Sequence, residues 1–147
     1  TPWYREHVSP KFVYDRNQIM AILNQESSLM EIVKLIGSDV LPDDQKLTLE
    51  IARVIRLGFL QQNAFHQEDT SVPMEKQFLM METILYLYEK CRALVNRGMP
   101  VSVLKEDKIF ERIIAIKYEV PNKELERFDE YHKDIDRFYD NVLERNG

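Results

Sequence analysis

The stretch LPDDQKLTLEIARVIRLGFLQQNAF, residues 41–65, decides how this chain is organised. It begins as an acidic turn, and Pro42 suits the first turn of the helix that follows. Asp43 and Asp44 would lie at the positive end of that helix's dipole. One face of the helix then carries Leu47, Ile51, Val54, Ile55 and Gly58, and the other carries Lys46, Glu50, Arg53 and Arg56. This pattern predicts a helix with a buried face and a solvated, charged face.

Helical spacing also governs the segment before this helix. Asp15 and Gln18 have the spacing of a capping box, so we predict a helix start at Asp15. The predicted core stripe is Ile19, Ile22, Leu23, Leu29, Met30, Val33 and Ile36. Glu26 is expected at the edge of this stripe with its carboxylate in water, and Gly37 supplies the left-handed stop. Residues 1–14 contain two prolines and no helical period, so we predict an extended lead-in.

Three more helices are predicted after residue 72. The first opens at Pro73, ends before Gly98 and carries Phe78, Met81, Leu85, Tyr88, Cys91 and Val95. The next follows Pro100 and carries Phe110, Ile113, Ile114 and Lys117. Asn122 would cap the last, which carries Leu125, Phe128, Ile135, Phe138 and Val142. No segment alternates with period two, so the fold class is all-α: a bundle of about five helices forming one domain over residues 15–147.

Composition narrows the class of protein. The 147 residues suit one domain with a sizeable core, and 44% hydrophobic with 31% charged residues indicates a soluble globular chain. A net charge of −5 argues against nucleic acid as a partner. No apolar run is long enough to insert into a membrane. The single cysteine, Cys91, excludes an internal disulfide and is expected to be a small buried hydrophobe.

Motifs for chemistry are missing from the sequence. The four glycines form neither a phosphate-binding loop nor a dinucleotide-binding fingerprint. Asp129 and His132 form half of a di-metal carboxylate motif, but a bundle site needs two Glu-x-x-His pairs and two further glutamates. We therefore expect no catalytic residue, metal site or cofactor in this chain itself. From residue chemistry alone, the turn at 39–44 can be a solvated cap, and Phe65 can be a loop aromatic that packs on the core.

The chain resembles the C-terminal helical domain of the catalytic A (alpha) subunit of V-type and A-type rotary ATPases (ATP synthases). The resemblance rests on EIVKLIG (31–37), LEIAR (49–53), FLQQNAF (59–65) and EKQ (75–77). It covers residues 19 to about 117, while the last helix is similar only in type. The resemblance implies a larger parent subunit that hydrolyses or synthesises ATP and couples this to proton or sodium transport. ATP and Mg would then bind in a nucleotide domain upstream of this chain.

The resemblance also implies roles for two sets of residues. The turn at Asp39, Leu41, Pro42, Asp43 and Asp44 is similar to the acidic turn that pushes on the central rotor stalk. Since this turn is less acidic than that of the F-type β subunit, a steric contact through Leu41 and Pro42 is favoured. Phe65, with Ala64 and Asn63 beside it, is similar to the aromatic side of the adenine pocket.

The implied partners are the B subunits of an alternating A/B hexamer and the central stalk (D) subunit. The implied location is cytoplasmic and peripheral to a membrane. The alternative from residue chemistry is a free-standing helical adaptor or regulatory module, which accounts for the bundle but not for the FLQQNAF block.

Overall fold

The computed structural model of the chain describes residues 9–60 and 73–146. These residues form an all-α fold, as predicted, with seven α-helices and no strand within the described ranges. Four helices are long and make up the bundle, and three short ones close one side of it. The hydrophobic core is one cluster that draws on all of the long helices.

The first helix, α1 (Ser9–Ile36), begins earlier than predicted. Pro10 lies in its first turn, where the absence of an N–H costs nothing. Residues 9–14 are therefore helical rather than extended, and Asp15 is buried within the helix instead of capping it. Residues 1–8 of the expected lead-in lie outside the described part of the chain. The predicted stop is confirmed: Gly37 has a φ of 86°, and its N–H donates to the Val33 carbonyl at 2.8 Å.

The second helix, α2 (Asp43–Ile55), continues into a π-helical segment, Arg56–Leu60. Pro42 caps it, as the sequence indicated, and the predicted apolar face is buried in full. Gly58 lies in the π segment against the fifth helix. A Cβ at this position would be 3.3 Å from the Ile114 Cα, so the absence of a side chain allows the two backbones to approach.

The third helix, α3 (Met74–Asn96), is central and packs against α1, α2 and the last helix. Its buried face is rotated from the predicted one. The middle of that face carries Met80, Ile84, Leu87, Cys91 and Leu94, while Phe78, Leu85, Tyr88 and Val95 are only half-buried. Both faces of α3 carry apolar residues, so helical period alone does not select between them. Packing against α1, α2 and the last helix selects the face that is buried.

The predicted fourth helix is divided into two, and a further short helix lies in the link that precedes it. These are α4 (Val101–Leu104), α5 (Ile109–Ile114) and α6 (Ile116–Glu119). Two lysines fasten this region to the long helices. The Lys117 ammonium donates to the Leu57 carbonyl, and the buried Lys76 Nζ donates to the Val120 carbonyl at 2.8 Å.

The last helix, α7 (Phe128–Asn146), follows a 3₁₀ turn at Leu125–Arg127 and begins later than the predicted cap at Asn122. Phe128, Ile135, Phe138 and Val142 are buried as predicted, and Tyr131 joins them. The Tyr131 hydroxyl donates to Glu119 Oε1 at 2.8 Å, which satisfies the one polar atom that this ring brings into the core. α7 lies against α3, and α5 lies between α2 and α7.

Candidate functional site

The turn between α1 and α2 forms a projecting corner. Gly37 turns the chain, Ser38–Val40 form one 3₁₀ turn, and Leu41 leads to the cap at Pro42. The C-terminal end of α3 lies at the level of Gln25 and Leu29, where residues of α1, α2 and α3 line a cavity of about 450 Å³. The first turn of α2 lies beside the end of α3 at this level, whereas the last turns of α1 continue beyond it, so the projecting part of the corner is the end of α1 with the 3₁₀ turn.

The five corner residues implied by the resemblance do not share one role. Asp39, Pro42 and Asp44 are exposed, as a contact surface requires. Leu41 is only 6% exposed and packs inward, so the expected steric contact through Leu41 is wrong. An extended residue between a 3₁₀ turn and a helix can direct its side chain back to the core, and an apolar one does so because burial removes it from water.

Asp43 is an internal anchor rather than a surface charge. Its Oδ1 accepts a hydrogen bond from the Val101 N–H at 3.0 Å, and its side chain is half-buried. Because Val101 opens α4, this bond satisfies one of the backbone donors that a helix start leaves unpaired. Asp43 therefore ties the corner to the region that follows α3.

Exposed apolar side chains surround the corner. Ile32, Leu35 and Ile36 on α1, with Val40 in the 3₁₀ turn, form what we call the apolar tip. Leu35 is 84% exposed, Ile36 62% and Val40 58%. Ile32, Leu35 and Ile36 have the i, i+3, i+4 spacing of one helix face. Ile36, which the sequence assigned to the core, instead belongs to this surface because α3 does not reach it.

Ion pairs connect the later turns of α2 and its π segment to the neighbouring helices. Arg56 Nη2 is 2.9 Å from Glu26 Oε2, so this carboxylate is paired rather than simply solvated. Arg53 bridges Glu50 and Glu111 at 2.7 and 2.8 Å. Glu50 was predicted to lie on a solvated face, but it is buried. The hydrogen bonds that Arg53 donates to Glu50 raise the pKa of the Arg53 guanidinium. These pairs join α1, α2 and α5.

The opposite end of α2 leads into the amide-rich segment. Asn63, Ala64 and Phe65 lie outside the described residues, so their predicted adenine contact stays a prediction. The last described residues are Phe59, which packs on the core, and Leu60, which is exposed. Next to them lies a groove of about 410 Å³ lined mostly by apolar side chains: Phe12, Ile19, Met20, Phe59, Leu60 and Met81. At 1.5 Å per residue, α2 and its π segment place the corner roughly 25 Å from Leu60, where the described part of this segment ends.

The remaining sequence candidates take part in packing. Cys91 is fully buried, and burial raises the pKa of its thiol, so this cysteine is protonated at neutral pH. His132 Nε2 lies 3.2 Å from Thr83 Oγ1, and burial lowers the pKa of its imidazole. Within residues 9–60 and 73–146, no three histidine, cysteine or acidic side chains are grouped to hold a metal ion. None of the helices in these ranges has the length and apolar character needed to cross a membrane.

The apolar tip and the anchoring role of Asp43 were missed at the sequence level. One signal for the tip was present: Ile32 and Leu35 are apolar yet fall outside the predicted core stripe. When a helix carries apolar residues outside its core stripe, those residues form a second apolar surface that can remain exposed. No local pattern marks the bond from Asp43 to Val101, since the two residues are distant in sequence.

Comparison with known proteins shows the same relationship along almost the whole chain. Residues 1–103 match the family model of the C-terminal domain of V and A type ATP synthase. The V-type ATP synthase alpha chain 2 of Clostridium tetani is 43% identical over 99% of this chain. The V-type ATP synthase alpha chain of Halothermothrix orenii is 42% identical, over 97% of this chain. The corresponding chain of the A-type ATP synthase of Methanopyrus kandleri is 41% identical, also over 97%.

The similarity therefore extends through α7, which the sequence motifs alone matched only in type. The chain spans 24% of the length of each of these three relatives. The matched family model includes the corner, α2 and the FLQQNAF block. This chain belongs to the family of C-terminal domains of V- and A-type ATP synthases.

Proposed function

We propose that this domain couples ATP hydrolysis or synthesis in the A subunit to ion transport by pressing on the central rotor stalk (D) through the α1–α2 corner. The observation that carries the proposal is the projecting corner, where Leu35, Ile36 and Val40 are exposed. Apolar side chains that remain in water on a projecting surface are typical of a contact with another protein.

The chemistry of the corner favours a steric, apolar contact over a purely electrostatic one. Asp39 and Asp44 supply exposed carboxylates that can guide the register of a basic partner. Asp43 is occupied by the Val101 N–H and contributes less charge to the surface. Pro42 and the apolar tip supply the bulk, so the stalk would need to present apolar side chains flanked by cations.

Rigidity of the corner supports its use as a lever. The Asp43–Val101 bond ties the corner to α4. The Arg56–Glu26 pair and the bridge from Arg53 to Glu50 and Glu111 join the other half of α2 to α1 and α5, so the helix that carries the corner is fixed along its length. Packed interiors transmit displacement rather than absorb it. A swing of the parent's nucleotide domain would therefore move the corner as part of one body.

The other end of α2 would face the nucleotide. In this proposal Phe65 stacks on adenine with Ala64 and Asn63 beside it, while ATP and Mg are held by the nucleotide domain of the parent protein. The apolar groove beside Phe59 and Leu60 supports the adenine contact, because it places an apolar surface at the last described residues before Asn63. The B subunits would be the neighbours in an A/B hexamer, at the cytoplasmic side of a membrane.

A photo-cross-linking experiment tests the stalk contact. Cys91 is buried and protonated at neutral pH, so within this chain a thiol introduced by Val40→Cys would be the reactive one for a maleimide-benzophenone reagent, in a complex whose other exposed cysteines have been replaced. In the assembled ATPase, illumination should give a product that contains both this chain's parent and the central stalk protein. Val13→Cys is the matched control, since Val13 is 52% exposed but lies near the other end of α1. Equal yields from the two sites, or a Val40→Cys product without the stalk protein, would refute the contact.

A further inference from the structure

Two carboxyl groups meet at the junction of α1 and α3, away from both ends of α2. Asp15, on α1, is completely buried. Its Oδ1 accepts a hydrogen bond from Lys11 Nζ at 3.2 Å. Its Oδ2 is also buried, and no donor among residues 9–60 and 73–146 reaches it. A buried carboxylate oxygen with no donor is costly, so this atom needs an explanation.

Glu82 of α3 supplies the second carboxyl group. Its Oε2 lies 3.4 Å from the same Lys11 Nζ that binds Asp15, so one ammonium lies between two acids on different helices. Lys11 is half exposed, and its charge can balance only one carboxylate. Asp15 and Glu82 also line a cavity of about 360 Å³ together with Tyr14, Tyr86 and His132.

A proton resolves both the unpaired oxygen and the excess negative charge. If Asp15 is a carboxylic acid, its Oδ2 becomes a donor, and the Glu82 carboxylate beside it is the acceptor. Lys11 then balances the one remaining negative charge. Carboxylates that share a site hold one proton between them because ionising both would place like charges side by side.

We propose that Asp15 and Glu82 share a proton and form a pH-sensitive lock that fastens the first turns of α1 to α3. The lock is closed when the proton is present. When the proton leaves, a buried carboxylate faces a second carboxylate across the helix junction, and the first turns of α1 loosen. The inference is independent of the stalk contact, since the pair lies elsewhere in the bundle.

The electrostatics around the pair agree with this geometry. Burial, together with the hydrogen bond and the charge of Glu82, raises the pKa of the Asp15 carboxyl from 3.8 to about 7 against the opposing effect of Lys11. Glu89 and Arg92 of α3 and His132 of α7 also line the cavity. Burial lowers the pKa of His132, so this imidazole is neutral where Asp15 titrates.

The sign of the effect follows from linkage. The folded-state pKa of Asp15 lies above its ordinary value of 3.8, so the folded chain binds this proton more tightly than the unfolded chain does. The stabilisation is complete below pH 3.8 and is lost as the pH rises through about 7. His132 acts in the opposite direction, because a lowered pKa adds stability above its ordinary 6.5 and removes it below.

Two measurements on the 147-residue chain test the lock. Carboxyl ¹³C NMR should show the Asp15 side chain titrating with a midpoint near pH 7. Amide hydrogen exchange in the first turns of α1, corrected for the intrinsic rate, should accelerate by up to about tenfold per pH unit between pH 3.8 and that midpoint, and should level off above it. An Asp15 midpoint below about 5, near the ordinary aspartate range, would overturn the proposal.

Variants separate the pair from the other acids. Asp15→Asn keeps a donor toward Glu82 and an acceptor for Lys11, so its stability should no longer fall as the pH rises through about 7. Glu82→Gln should move the Asp15 midpoint down. Glu89→Gln is the matched control, a carboxylate lining the same cavity on the same helix, and should keep the wild-type profile. An unchanged fall in stability in Asp15→Asn would also overturn the lock, and if that variant does not fold, the wild-type titration decides.

Discussion

The adjacent residues Asp43 and Asp44 at the corner have different structural roles. Asp43 Oδ1 binds the Val101 N–H at 3.0 Å, whereas Asp44 is exposed at the start of α2. The sequence treats the two as equivalent, because both precede an amphipathic segment. The difference comes from α4, which begins 58 residues later and lies against the corner only in the folded chain.

We expect Asp43→Ala to lower the free energy of unfolding by about 1 kcal/mol, the usual cost of losing a side-chain cap. For a domain of this size that corresponds to a fall of roughly 2–4 °C in Tm. Urea or thermal unfolding of the chain measures it. Asp43→Asn, which keeps an acceptor, should recover most of the loss. If Asp44→Ala, the exposed neighbour, is as destabilising as Asp43→Ala, the helix dipole rather than the Val101 bond explains the effect.

The predicted adenine contact can be tested at Phe65. In the whole catalytic subunit, Phe65→Ala should weaken ATP binding by about 1–3 kcal/mol, the contribution of stacking one base on an aromatic ring. The bundle should stay folded, as judged by circular dichroism and Tm. Phe65→Tyr, which keeps the ring, serves as the control. Unchanged ATP affinity in Phe65→Ala would reduce this ring to a packing residue.

Among the elements, those that could be predicted are the ones with strong local signals. Pro42 and Gly37 marked the start of α2 and the end of α1, and the apolar face of α2 is buried as predicted. The start of α1 was misplaced because Asp15 has the spacing of a capping residue, although Ser9 and Pro10 already begin the helix. Asp15 lies within the helix and is buried, and its burial is visible only once α1 packs against α3.

The elements that could not be predicted depend on tertiary packing. The buried face of α3 is selected by α1, α2 and α7 together, since apolar residues occur around much of its circumference. Residues 110–117 look like one helix in sequence but are divided between α5 and α6, and Lys117 fastens α6 to the Leu57 carbonyl. Such long-range bonds leave no mark in the local pattern.

For the candidate site, sequence reasoning found the corner but not the exposed apolar residues beside it. It assigned the contact to Leu41 and Pro42, and the structure buries Leu41. The exposed apolar residues are Leu35, Ile36 and Val40 instead. Exposure at this position depends on where α3 ends relative to α1, which is a property of the assembled bundle and not of either helix alone.

At the scale of the whole molecule, α2 connects two surfaces. Its buried face joins the core, its ion pairs reach α1 and α5, and its ends approach the corner and the apolar groove. A stiff element with a different surface at each end suits a domain that relays displacement. The proposed lever requires the apolar tip to touch the stalk while the rest of the domain only supports it.

The most direct test of this lever is the ratio of ion transport to ATP hydrolysis in the reconstituted complex. Replacing Leu35, Ile36 and Val40 with serine removes on the order of 4 kcal/mol of apolar contact with the stalk. We predict that ATP hydrolysis continues while the number of ions moved per ATP falls, and that Val13→Ser at the other end of α1 behaves as wild type. An unchanged ratio in the triple serine variant, with the complex intact, would contradict the lever.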